Sequence, residues 1–262
     1  MRQRAEPSVV TSRLRVGLGT FIAIEAEADT PTIGETAAGA AFAAVRLVDV
    51  LMHPRRVGSD LAALNRSVPG ALLAVHPWTW AVLELCKRLN HLSRGTFDPC
   101  VAGSEGTLAD LELLPHAGGV PHLVLHARLS IDLGGIGKGF AVDRAIDALS
   151  DAGCRGGLVN AGGDLAVFGE REHDLVCHDR RGTGATVTLR NAALAASDAD
   201  NASRPGEHRG YYHGSDARWV VTGRAAVTAP SAAIADGLTK CLLIDASNSP
   251  LLLAFGAQRI DW

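Results

Sequence analysis

The chain has 262 residues, 47% hydrophobic and 20% charged, a balance that suits a globular protein with a sizeable core and excludes a disordered or fibrous one. A formal net charge of −3 and a pI near 6.4 exclude any global pull toward nucleic acid or an anionic membrane. Aromatic residues make up only 5%, too few for a nucleic-acid surface built on base stacking.

In chain order, Leu14 to Ala28 reads as a strand or hairpin, with Val16, Leu18, Phe21 and Ile24 set among glycines. Thr32-Ile33-Gly34-Glu35 has capping-box spacing and opens a helix running to about Met52. Its positions Phe42, Val45, Leu47, Val48 and Leu51 predict burial on a broad face. A second helix is expected from Trp78 to Leu92, with Gly95 just beyond it, and His122 to Leu133 is strand-like. Lys138 to Leu149 predicts a helix that stops near Gly153. Strand-like pieces follow at 157–168, 174–177, 185–189 and 219–227, and Ser231 caps a last long helix reaching Leu243. Asp198 to Ser215 is polar and glycine-containing and reads as a long loop. Strands and helices mix without regular alternation, so the expected class is α+β: a polar tail over 1–13, then one domain of mixed strands and helices over 14–262.

Five cysteines, at 86, 100, 154, 177 and 241, are odd in number and show no CxxC or Cys/His ligand spacing. They read as free thiols in a reducing compartment, neither a disulfide framework nor a zinc site. The start, Met1 to Pro7, is polar and lacks a secretory apolar stretch, and no run of about 18 apolar residues predicts a transmembrane span. The sequence as it stands reads as cytoplasmic, with a periplasmic location for a chain whose leader had been removed.

The densest chemical signal is Ile131-Asp132-Leu133-Gly134-Gly135-Ile136-Gly137-Lys138-Gly139, with four glycines in six residues between a strand and a helix. Glycine lets backbone approach a ligand, and a helix N-terminus presents N–H groups to phosphate. The run is not a Walker loop, because Gly139 and not Ser or Thr follows Lys138, and G-G-x-G-x-G is not the dinucleotide GxGxxG. A tight turn with no ligand is the plain alternative for such a run taken alone.

Its neighbours change that reading. Leu18-Gly19-Thr20, Ser59-Asp60-Leu61-Ala62-Ala63-Leu64-Asn65, Gly95-Thr96-Phe97-Asp98-Pro99, Asn160-Ala161-Gly162-Gly163-Asp164 and Ala235-Asp236-Gly237-Leu238-Thr239 accompany it in a fixed order. In that order the chain resembles the ApbE family of FAD:protein FMN transferases over about residues 16–245. The resemblance implies an enzyme that splits the FAD pyrophosphate with Mg2+, releases AMP, and attaches FMN to a Thr or Ser of a target flavoprotein. It also implies site residues. Gly135, through its carbonyl, and the Asp236 carboxylate correspond to metal ligands, while Leu18, Thr96, Phe97, Asp98, Asp132, Lys138, Gly162 and Gly163 correspond to FAD-contacting positions. A helix-surface carboxylate is the plain alternative for Asp236, and turn capping for Asp98 and Asp132.

The match departs from the family pattern in places. A Thr expected four residues after Asp236 is Lys240, while Thr239 stands one residue earlier and could complete the metal set, since i+3 and i+4 share a helix face. Lys240 could instead put its ammonium where the cation would sit, or reach solvent. The family's T-S-G turn is Ala196-Ser197-Asp198, and no aromatic residue occurs over His53 to Arg55, where a flavin-stacking one is expected. The family's H-I-I-D-P-R-T-G is His213-Gly214-Ser215-Asp216-Ala217-Arg218-Trp219-Val220. His213 is the candidate general base, poised by its ordinary pKa to take a hydroxyl proton, and Asp216 is the second catalytic candidate. The alternatives to transfer are a flavin-binding carrier that lost transfer through Lys240, and slow hydrolysis of FAD.

Overall fold

The structure is a computed structural model, and it describes residues 8–101, 104–115, 118–178, 184–199 and 223–261. The chain opens with an antiparallel hairpin, β1 (Val9–Gly17) and β2 (Thr20–Ala28), whose first strand begins five residues earlier than the sequence suggests. On β2 the alternation puts Ile22, Ile24, Ala26 and Ala28 into the core. Helix α1 (Pro31–Met52) follows; its cap is Thr30, whose hydroxyl accepts from Ile33 N at 3.3 Å, and Pro31 takes the first turn. The capping-box reading at Thr32 therefore placed the start two residues late.

Next come α2 (Asp60–Arg66), β3 (Leu72–Ala74), α3 (Pro77–Leu92), β4 (Leu111–Leu113) and β5 (His122–Leu125). Strands β3, β5 and β4 make a small three-stranded sheet. Helix α4 (Gly137–Asp151) leads into β6 (Gly156–Ala161) and β7 (Asp164–Phe168), joined by the Gly162-Gly163 turn. β8 (His173–His178) pairs with β9 (Gly184–Leu189). The chain closes with β10 (Ala192–Asp198), β11 (Arg224–Ala229), α5 (Ala232–Ile244), α6 (Ser249–Ala254) and β12 (Gln258–Ile260).

Among the described residues the main sheet runs β1-β2-β6-β7-β10-β11-β12 with every neighbouring pair antiparallel. Helices α1, α4 and α5 lie side by side on one face, against β1–β2, β6–β7 and β10–β11 in turn. The β8–β9 hairpin covers part of the other face, where Cys177 and Leu189 pack with Leu165, Val167, Leu194 and Ala226. This is the expected α+β architecture, a helix layer on an antiparallel sheet.

The helix layer is close-packed at one crossing. A Cβ on Gly139 of α4 would sit inside van der Waals contact of the Ala232 carbonyl at the start of α5, so only glycine lets these helix ends touch. Asp143, one turn further along α4, caps α5: its carboxylate accepts from Ser231 Oγ at 2.7 Å, Ala232 N at 2.7 Å and Ala233 N at 2.9 Å. The α5 N-terminus is satisfied by a neighbouring helix as well as by its own Ser231.

Candidate functional site

The turns singled out in the sequence meet at one end of the helix layer. The β1–β2 turn is a two-residue loop with positive φ at both positions, 51° at Leu18 and 72° at Gly19. That is the geometry that matches strand twist in a tight hairpin, and it suits glycine but strains leucine by about 1–3 kcal/mol. The β6–β7 turn lies against it. Gly162 has φ 66°, and a Cβ there would fall 2.5 Å from Thr20 Oγ1, so glycine is required on both counts. Asn160 Oδ1 accepts from Gly163 N at 3.0 Å and fixes the turn.

Directly after this turn, the carboxylate of Asp164, 1% exposed, forms an ion pair with Lys138 from the first turn of α4. Its other oxygen, Oδ1, is buried with no hydrogen-bond partner among the described residues. Lys138 is about one-third exposed, so it lies at the boundary between the buried Asp164 and solvent.

The segment before α4 is held from two sides. Asn65, the last residue of the Ser59–Asn65 motif, accepts from Ile131 N at 2.8 Å and donates to Ile131 O at 2.9 Å. On the other side Asp132 N donates to Pro99 O at 2.9 Å, which joins the Thr96–Pro99 segment to the glycine run. Asp132 Oδ1 accepts from Gly134 N at 2.7 Å, and Asp98 Oδ1 from Cys100 N at 2.9 Å. Both carboxylates thus shape their turns. Phe97 is a core residue, 4% exposed, and its ring edge borders both Gly135 and Gly237.

At the centre stands α5. Asp236 is fully buried, not on the helix surface: one oxygen accepts from Gly139 N at 3.1 Å and the other forms an ion pair with Lys240. The Lys240 ammonium also donates to Ser197 Oγ at 2.8 Å and Thr239 Oγ1 at 3.1 Å, and the side chain is only 6% exposed. Thr239 in turn donates to the Asp236 carbonyl at 2.7 Å, which makes Ser197 the donor in the 2.8 Å contact between the two hydroxyls. Lys240 passes beside Gly135, where a Cβ would lie 3.4 Å from Lys240 Cγ. The i+3 and i+4 residues of α5 therefore both face the cluster, and Lys240 points inward and not to solvent.

These donors can be tested against the Mg2+ ion that the motifs suggest. Mg2+ wants hard oxygens in near-octahedral array, with a carboxylate free to bind it. Here the Asp236 carboxylate is shared between an ammonium and a backbone N–H, and both hydroxyls accept protons from neighbours. As folded, Gly135, Asp236 and Thr239 do not fit a metal at this point. No group of three or more His, Cys, Asp or Glu suited to a metal occurs among the described residues.

The structure therefore brings together Leu18, Phe97, Asp98, Asp132, Gly135, Lys138, Gly162, Gly163, Asp236 and Thr239 along one continuous chain of contacts, with Thr96 in the segment that carries Phe97. His213 and Asp216 lie outside the described residues. Four participants lie outside the candidate list: Ser197 stands in the altered turn, Asp164 and Asn65 are letters of the quoted motifs, and Asp143 lies four residues beyond the glycine run. Their signal lay in those motifs, but pairing Asp143 with Ser231 or Ser197 with Lys240 needs contacts 88 and 43 residues apart.

No helix among the described residues is long and apolar enough to cross a membrane. The ApbE family model matches residues 18–254. The chain is 25% identical to the FAD:protein FMN transferase of Treponema pallidum, over 92% of this chain and 81% of that protein. It superposes on the apo flavinyl transferase ApbE of Pseudomonas stutzeri with a TM-score of 0.81 at 18% identity, covering 97% of this chain and 92% of that one. For the ApbE protein of Thermotoga maritima the TM-score is 0.75 at 19% identity, covering 96% and 94%. With a family match over nearly its whole length and a fold that agrees, this chain belongs to the ApbE family.

Proposed function

We propose that the protein takes FAD as substrate, breaks its pyrophosphate and passes the FMN half to a Thr or Ser hydroxyl of a target flavoprotein. The observation that carries this reading is the convergence of the Leu18–Thr20, Phe97–Asp98, Gly134–Lys138 and Gly162–Asp164 turns beside the α5 cluster. The name of the Treponema relative supports it.

Phosphoryl transfer leaves the protein little covalent work; it positions the groups and offsets charge around phosphorus. In this chain the hairpin turn and the Gly162-Gly163 turn bring bare backbone close together. Lys138, anchored by Asp164, offers a cation beside them. In the reaction the acceptor hydroxyl oxygen forms a bond to the FMN phosphorus as the bond to the AMP oxygen breaks, and AMP departs with that electron pair. The hydroxyl proton goes to His213, the proposed general base, with Asp216 proposed to support it. The α5 oxygens as folded do not fit Mg2+.

The test is incubation with FAD and a candidate flavoprotein, followed by a denaturing gel viewed for flavin fluorescence. A fluorescent target band is expected, and His213→Ala should lower its intensity by about 100-fold or more. Free FMN without a band would replace transfer by hydrolysis. Bound FAD that is never cleaved would favour the carrier reading, which the Asp236–Lys240 pair makes the strongest alternative.

A further inference from the structure

We propose that Lys240 is the resident cation of this site: its ammonium takes the place a divalent metal would need, and the protein binds flavin dinucleotide without one. The proposal rests on the flavin reading above but is carried by a separate observation, the surroundings of one nitrogen.

An ammonium is a donor only, and acceptor oxygens of Asp236, Ser197 and Thr239 are placed for it. A side chain this buried rarely keeps a charge unless it is paired and hydrogen-bonded, and this one is both. The acceptors come from two elements, β10 and α5, so the pocket is built and is not a chance meeting of neighbours on one helix. Position i+4 puts Lys240 on the same helix face as Asp236, where a shorter oxygen-bearing side chain would leave the carboxylate open to a metal.

The charge balance gives a measurable consequence. Lys240 with Asp236 leaves a net charge of zero at the cluster, and a divalent ion added to that pair would raise it to +2. A second cation close to the ammonium meets strong repulsion in a site from which water is largely excluded. Wild-type protein should therefore ignore divalent metal, and its flavin affinity should not depend on it.

The first experiment titrates Mn2+, a spin-active stand-in for Mg2+, into wild type, Lys240→Thr and Asp236→Asn, and reads the free-ion resonance. We expect no uptake by the wild type and uptake by Lys240→Thr that is tighter by about tenfold or more. Equal uptake by wild type and Lys240→Thr overturns the proposal, as does no uptake by a Lys240→Thr variant shown by circular dichroism to be folded. Should that variant fail to fold, wild-type uptake that Asp236→Asn abolishes overturns the proposal, and absence of wild-type uptake upholds it. The second experiment measures FAD affinity by flavin fluorescence in EDTA and again in Mg2+; equal wild-type values are expected, and a Mg2+-dependent gain overturns the proposal. Failure of the wild type to bind FAD under either condition would remove the flavin reading and leave the Mn2+ titration to judge Lys240.

Discussion

One carboxylate ties the candidate site to stability. Asp236 receives the Gly139 amide from α4 and the Lys240 ammonium from its own helix, with no exposed surface. Its sequence context permits an ordinary helix-surface acid that could be removed without harm, and its burial reverses that expectation. Asp236→Ala removes the carboxylate paired with an ammonium whose side chain is only 6% exposed, and should cost about 3–5 kcal/mol. Urea unfolding followed by circular dichroism measures this. Adding Lys240→Met to Asp236→Ala should recover part of the loss, because the ammonium goes with it. A loss below about 1 kcal/mol for Asp236→Ala alone would mean that the pair behaves as a solvated surface pair.

At the scale of elements, the crossing of α4 and α5 sets the geometry of the cluster. Gly139 allows the contact and Asp143 fastens it with three hydrogen bonds to the start of α5. Burial pushes the Asp143 carboxyl above its usual range, while its hydrogen bonds to Ala233, Ser231 and Ala232 pull the other way. Asp143→Ala should cost about 2 kcal/mol or more, since it removes a cap and leaves two amides of α5 without this acceptor. Thermal unfolding checks the loss. The same variant should weaken FAD binding, because Asp236 and Lys240 ride on α5; unchanged flavin affinity would separate the crossing from the site. Ser231 alone was legible as the cap of α5. The Asp143 contribution was not, because a cap supplied from another helix leaves no local pattern.

For the whole molecule, burial decides thiol chemistry. Cys86 and Cys241 are fully buried, and Cys154 and Cys177 have less than a tenth of their surface exposed. Burial raises the pKa of all four and of Cys100, with Cys241 pushed up to about 12. The thiolate is the reactive form, so native protein should react slowly with a disulfide reagent at mildly alkaline pH. Labelling of Cys86 and Cys241 should track global unfolding, and all five thiols should react at once in denaturant. Rapid native labelling of Cys86 or Cys241, read by mass spectrometry of peptides, would show that the helix layer opens locally.

The sequence by itself determined the long amphipathic helices and the glycine turns. Periodicity, Ser231 and the positions of Gly95 and Gly153 are local signals, and they placed α1, α3, α4 and α5 within a few residues. Motif order determined the family, because each motif is a backbone requirement that short sequence records directly. Tertiary structure decided the rest. The alanine-rich Ala192–Asp198 has little strand propensity and became a strand because it fills the sheet between β7 and β11 beneath α5. Conversely, the expected strand over 122–133 kept only His122–Leu125, with a single bridge from Ile131 to Cys100. The direction of Lys240 was likewise beyond the sequence, which left solvent and the place of the cation both open. Ser197 on β10 settled it: a buried hydroxyl beside a buried carboxylate makes the interior the place where an ammonium finds its partners.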